Sequence, residues 1–175
     1  NANGKARFLR VAAGGDLLPE SDGAPAEKAA AFLSRYSRLV GAPADQLDPA
    51  GNQTDALGAA VTYTQSFGGV PVWGSEIRIN FSDDDRLTSV NGFLLPDLAN
   101  SGLALAPSLS AATAEDRALK AVVAEPPVDE QGVPADTTQL TTTPAELLIY
   151  PAGAVRGDLA TPTLAWRVQV GDGGA

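Results

Sequence analysis

The stretch Tyr63-Thr64-Gln65-Ser66-Phe67-Gly68-Gly69-Val70-Pro71-Val72-Trp73-Gly74 decides how this chain folds, because it holds a reversal between two runs of period two. Leading into the reversal, Val61, Tyr63, Gln65 and Phe67 fall on one face while Thr62, Thr64 and Ser66 fall on the other, the alternation of a half-buried β-strand. Gly68-Gly69 supplies the turn. Beyond it, Trp73, Ser75, Ile77, Ile79 and Phe81 alternate with Gly74, Glu76, Arg78 and Asn80, so a second strand returns along the first. Val70 and Val72 lie in the opposite phase to Ile77 and Ile79. A strand changes phase only at an irregularity, so the spacing predicts a bulge near Gly74. Trp73, in phase with Ile77 and Ile79, is expected in the core. Gln65 is the polar residue on an otherwise apolar face, and its amide is expected to find local partners rather than a partner surface.

Working outward, Ser82-Asp83-Asp84-Asp85 is turn chemistry, and Arg86 to Val90 returns as the third strand of a meander. Asn91-Gly92 reads either as a bulge at Gly92 or as a further tight turn into Phe93-Leu94-Leu95, which Pro96 halts. On the N-terminal side, Pro25 stands where a first helical residue is tolerated. Ala29, Phe32, Leu33, Tyr36, Leu39 and Val40 then recur at helical spacing up to a stop at Gly41, with Lys28, Arg35 and Arg38 off the stripe. Residues 1–23 carry one apolar patch, Phe8-Leu9-Arg10-Val11, and read as an arm with room for a single strand. After a linker, Ser110 stands as an N-cap before Ala114, Ala118, Leu119, Val122 and Val123, and Pro126-Pro127 ends this second helix. The segment to Thr143 is mostly loop. Glu146 to Tyr150 is a short apolar run, Leu164, Trp166, Val168 and Val170 alternate with polar or small residues, and Gly171 to Ala175 reads as a flexible end. A helix followed by antiparallel strands thus occurs twice. The expected fold class is α+β, with two small units, each a helix packed on an antiparallel sheet in a cystatin-like manner. The expected bounds are an arm over residues 1–23, a first unit over 24–100 and a second over 101–175.

Composition removes most chemistry. The 175 residues contain no histidine and no cysteine, the usual ligands of a catalytic zinc and the usual activators of a nucleophile. A carboxylate-only site needs two acids whose environments push their pKa values apart. Asp16, Glu20, Asp22, Asp45, Asp48 and Asp55 instead lie among Gly, Pro and Ala and read as solvated loop charges. Asp83-Asp84-Asp85 lacks the spaced carboxylates of a calcium loop and reads as a hairpin tip. No catalytic, cofactor-binding or metal-binding residue is expected. A net charge of −9, with only 12 scattered Lys and Arg, argues against nucleic acid. No apolar run approaches the roughly 20 residues of a membrane span, so no membrane partner is expected. Arg156-Gly157-Asp158 spells an adhesion tripeptide too short to be specific. Asn52-Gln53-Thr54 and Asn80-Phe81-Ser82 fit the glycosylation pattern, the second inside an expected strand. The sequence begins at Asn1 with neither Met nor a signal pattern, as a processed product or a trimmed piece would.

Tyr63 to Gly74, Ile77 to Phe81 and Ser89-Val90-Asn91-Gly92 resemble the fungalysin/thermolysin propeptide domain. That pattern is an aromatic-x-Gln strand, Gly-Val-Pro-Val after a turn, a Gly soon after, and strands ending near Ser-Val-Asn-Gly. The second unit is similar to the PepSY domain, through Leu109-Ser110-Ala111-Ala112 opening a helix and Leu164-Ala165-Trp166-Arg167-Val168 closing it. Carried onto this sequence, the motif residues are Tyr63, Gln65, Gly69, Val70, Pro71, Val72, Gly74, Asn91, Gly92 and Trp166, with mainly structural roles. The resemblance implies the non-catalytic propeptide of a secreted zinc metallopeptidase, which assists folding of the catalytic domain and holds it inactive. Its implied partner is that catalytic domain, in cis, met through the exposed faces of the central strands and the C-terminal tail. No His-Glu-x-x-His zinc helix occurs in the chain. The alternative is a stand-alone extracellular inhibitor or binding module acting in trans.

Overall fold

The structure is a computed structural model that describes residues 5–56, 58–156 and 160–172. The adhesion-like tripeptide beyond Arg156 and the last three residues of the tail lie outside the described residues. The chain opens with strand β1 (Phe8–Arg10), helix α1 (Pro25–Val40) and a 3-10 turn (Ala44–Gln46). Strands β2 (Leu47–Asp55), β3 (Gly58–Phe67), β4 (Val70–Phe81) and β5 (Leu87–Phe93) follow. These strands pair antiparallel in the order β1-β5-β4-β3-β2. A second 3-10 turn (Leu98–Asn100) leads to helix α2 (Ala111–Ala124), β6 (Thr141–Thr142), β7 (Glu146–Tyr150), a short helix α3 (Ala152–Arg156), β8 (Thr163–Arg167) and β9 (Val170–Gly171). β7 pairs antiparallel with β8 and, at Val72 against Ile149, parallel with the start of β4. The result is a mixed α+β fold built on one curled, mainly antiparallel seven-stranded sheet, with β6 and β9 forming a separate ribbon.

The main core lies between α1 and the face of β3, β4 and β5 that carries Val61, Tyr63, Ile77, Ile79 and Val90. Burying each of the Val and Ile side chains among them contributes roughly 1.5–3 kcal/mol. The helix presents Ala29, Phe32, Leu33 and Val40 as expected, but Lys28 and Ser37 are buried while Tyr36 and Leu39 are exposed. This corrects the stripe read from sequence. The arm packs Leu18 into the same core and bonds Asp16 to Lys28, which turns the buried face of α1 toward its Lys28 side. The arm is part of the sheet too, since β1 pairs with β5 from Phe8 against Asn91 to Arg10 against Ser89.

Three other expectations are corrected. The segment after the first 3-10 turn was expected to be loop, yet Leu47–Asp55 forms a nine-residue strand at the sheet edge in which only Leu47 is buried. An edge strand held by its backbone ladder needs no apolar alternation, so nothing in its side chains announces it. The run through Val168 breaks after Arg167, and Val170 pairs instead with Thr142. At Asn91-Gly92 the register with Arg78 and Ile77 is unbroken, so there is neither a turn nor a bulge.

Away from α1, the sheet face is polar. Arg78 donates from Nη2 to Gln53 Oε1 at 2.9 Å and from Nε to Asn80 Oδ1 at 3.2 Å. Asn80 Nδ2 donates in turn to Ser89 Oγ at 3.1 Å and Asn91 Oδ1 at 2.8 Å. This cross-strand network links β2, β4 and β5.

Ser110 caps α2 as the sequence predicts, accepting the Thr113 backbone N–H on its hydroxyl at 3.2 Å. No residue of α2 is fully buried, so the helix depends on its cap more than α1 does. Ser110→Ala is expected to lower stability by about 1 kcal/mol, read as a shifted urea midpoint with an unchanged slope; an unshifted midpoint would contradict the role of the cap.

Candidate functional site

The quoted stretch builds a fork in the sheet. The β3–β4 register slips between Thr64 against Glu76 and Ser66 against Pro71, so β4 carries extra residues opposite Gln65. Gly74 sits in this bulge with φ of 66°, a left-handed conformation that side chains with a Cβ rarely adopt. The bulge expected near Gly74 is therefore present, and it inverts the phase. Val72 is buried and packs with Leu98 and Ile149 in a second small core, whereas Trp73 is 42% exposed. Trp73 was expected in the core, and the bulge that separates it from Ile77 is the reason it is not. Its ring stands against Tyr150 at a centroid distance of 5.6 Å and an interplanar angle of 40°. On the same strand, β5 ends with Phe93 opposite Glu76, while β7 pairs at Val72, so the neighbour of β4 changes across the bulge.

Gln65 holds this fork together. It is 1% exposed, and its amide is fully engaged. Nε2 donates to Gln46 Oε1 at 3.1 Å and Leu95 O at 2.9 Å, and Oε1 accepts the Leu95 N–H at 2.8 Å and the Ser75 hydroxyl at 3.1 Å. The side chain thus pairs with Leu95 as a neighbouring strand would, and links β3, the bulge, the first 3-10 turn and the exit from β5. A buried amide with every donor and acceptor used is a structural device.

The other motif residues sort by position. Tyr63 is buried opposite Ile77, and burial pushes its hydroxyl pKa above the ordinary value. Gly69 completes the turn with Gly68. Val70 is partly buried against the second core and Pro71 is exposed opposite Ser66. Asn91 belongs to the polar network, and Gly92 lies directly against the backbone of β4, where a Cβ would stand 2.1 Å from the Glu76 carbonyl oxygen. Trp166 is on β8 opposite Leu147 and donates from Nε1 to Leu109 O at 3.0 Å, which ties the approach to α2 onto β8.

A groove of about 600 Å³ opens at the fork. Buried Val72 and Leu148 contribute its floor, and exposed Pro71, Trp73, Glu76 and Arg167 its walls. Arg167 is ion-paired with Glu146 across β7 and β8, whereas Glu76 has no ion-pair partner among the described residues. Among the described residues no group of three or more His, Cys, Asp and Glu could hold a metal ion.

Sequence reasoning missed the buried ion pair of the arm. Lys28 Nζ donates to Asp16 Oδ2 at 2.6 Å and to Asp85 O at 3.3 Å, with the two side chains only 6% and 11% exposed. Asp16 Oδ1 also accepts the Leu18 N–H at 2.8 Å and the Leu87 N–H at 3.3 Å. Burial works to raise the carboxyl pKa, but the bonds from Lys28 and the backbone outweigh it and hold the pKa below the ordinary value. The available signal was Lys28 standing four residues before Phe32, on the flank of the helical stripe.

Residues 45–93, which span the fork from its Gln46 side to the end of β5, match the Fungalysin/Thermolysin Propeptide Motif. That motif is a non-catalytic region of thermolysin-like peptidase precursors, and the matched stretch is non-catalytic accordingly. Over 164 residues the chain is 32% identical to "Thermolysin" of Alicyclobacillus acidocaldarius subsp. acidocaldarius, and equally to "Thermolysin" of Bacillus caldolyticus. The alignment covers 89% of this chain but 27% of either relative, so the chain spans about a quarter of the length of the proteins it matches. No helix among the described residues is long and apolar enough to cross a membrane.

Proposed function

We propose that this chain is the propeptide of a secreted thermolysin-type zinc metallopeptidase, and that it acts in cis as a folding assistant and inhibitor of the catalytic domain. The observation that carries this reading is the propeptide motif at residues 45–93 together with 32% identity over 164 residues to thermolysins, a likeness that extends well beyond the motif itself. The zinc belongs to the catalytic domain in this reading, and the chain needs no metal, cofactor, nucleic acid or membrane of its own. A segment that binds the native state stabilises it by mass action, and one that binds the folding transition state lowers the barrier. Covering the cleft then suffices for inhibition.

Within that reading, residues 24–100 form the propeptide-motif unit and residues 101–175 a PepSY-like unit, each a cystatin-like helix on a sheet. Support comes from the separate helix in each part, and from two bonds local to the second: Trp166 Nε1 to Leu109 O, and the Ala145 N–H to Glu115 Oε1 at 2.7 Å. The catalytic domain is met through the exposed faces of the central strands and the C-terminal tail. The test is refolding of the denatured cognate catalytic domain with and without the purified chain. A several-fold rise in recovered activity, saturating near equimolar chain after the chain is digested away, is expected; no rise at any ratio contradicts the folding role.

A further inference from the structure

Trp73 is a large aromatic held in the open by the bulge at Gly74, braced by Tyr150 and standing on the wall of the groove at the fork. Tryptophan, tyrosine and arginine are the side chains that dominate binding energy at protein interfaces, and Trp73, Tyr150 and Arg167 gather at this one place. Part of the Trp73 ring packs on Tyr150, and the 42% left exposed is apolar surface that folding of the chain alone does not cover. The buried part of the lining is Val72 and Leu148 together with Gln65 and Ser75, whose polar groups are already bonded to each other at 3.1 Å, so the floor offers a ligand mainly apolar contact and favours a large apolar side chain from outside. Charge narrows the occupant further. Arg167 is neutralised by Glu146, while the Glu76 carboxylate is exposed, without an ion-pair partner among the described residues, in a chain of net charge −9. The groove therefore attracts a cation beside the apolar group.

We propose that this groove is the surface on which the catalytic domain docks, receiving a segment that presents one large apolar side chain next to a lysine or arginine. The proposal rests on the propeptide reading and adds to it the place of contact and the chemistry of the partner segment. Trp73 supplies the aromatic contact, Val72 and Leu148 receive the apolar side chain, and Glu76 pairs with the cation.

The test measures binding of the wild-type chain, Trp73→Ala, Trp73→Phe and Glu76→Lys to the cognate catalytic domain by titration calorimetry, with Val128→Ala on an exposed loop as a control. Circular dichroism and urea midpoints report whether each variant remains folded, and Trp73→Phe keeps a ring in place should the alanine variant fail to fold. Trp73→Ala is expected to weaken binding at least about tenfold and Trp73→Phe by less. Glu76→Lys is expected to weaken it about fivefold at roughly 0.05 M salt, with the difference largely gone at roughly 0.5 M. Val128→Ala should bind as wild type does. If the wild-type chain binds and every folded groove variant binds within twofold of it, the groove is overturned and the propeptide reading stands. If the wild-type chain does not bind at all, that reading fails and the groove proposal fails with it.

Discussion

Replacing Gly92 with alanine is expected to unfold the chain outright. Gly92 lies next to the end of β5, against Ile77, with φ of 141°, and a Cβ there would stand 2.1 Å from Glu76 O and 2.7 Å from Ile77 Cα. Both atoms belong to the backbone of the central strand, so no side-chain rotation relieves the clash. Relief requires β4 and β5 to separate at Ile77, itself in the main core and two residue pairs from Ile79 and Val90. The cost is expected to exceed about 4 kcal/mol, a large part of the roughly 5–15 kcal/mol that holds a domain together. An amide NMR spectrum that loses its dispersion is the expected readout. A variant that stays dispersed and unfolds within about 1 kcal/mol of wild type would show that the two strands are not packed as described.

The second large effect belongs to the arm. Lys28→Ala removes the ammonium that neutralises Asp16 while leaving the carboxylate almost enclosed, and breaking a buried pair from one side costs about 3–5 kcal/mol. The pH dependence has a definite sign. The folded-state pKa of Asp16 lies below its ordinary value, so the stabilisation is present above the unfolded pKa of about 3.9 and is lost as pH falls through the folded value. The gap between wild type and Lys28→Ala in urea unfolding is therefore expected to be full at neutral pH and to shrink on acidification below about pH 4. A gap under about 1 kcal/mol at neutral pH, or one of constant size down to acid, would contradict a coupled buried pair.

What could be read from the sequence was what is local. The alternation of Val61 to Phe67 and of Ser75 to Phe81 marks two strands because one face of each meets the core. Ser110 marks a helix start because its hydroxyl serves the Thr113 N–H three residues on. The opposed phases of Val72 and Ile77 demanded a bulge, yet counting Trp73 with the strand beyond it put that side chain on the wrong side of the sheet.

What escaped is what depends on distant chain. Gln65 visibly needed partners, but Gln46 and Leu95 stand 19 and 30 residues away and nothing in their types names them. Asn91-Gly92 reads as a bulge or a tight turn because a glycine after an asparagine favours both, whereas the glycine is required by the approach of the Glu76 backbone. The pairing of Val72 with Ile149 joins β7 to the sheet across a long stretch of chain and leaves no local signature. The motif was legible for the converse reason: Gly69 and Gly74 hold positive φ, Gly92 abuts the β4 backbone and Gln65 makes four hydrogen bonds, so each residue type answers to a local geometry.

The central claim is that the chain is a partner of a thermolysin-type catalytic domain. The direct measurement is the residual peptidase activity of the cognate mature domain, titrated with the purified chain before the chain can be digested. The propeptide reading predicts saturable loss of activity with a midpoint at or below micromolar chain, paralleled by retained zinc in the inhibited complex. Full activity at every concentration, with no complex formed, would contradict it.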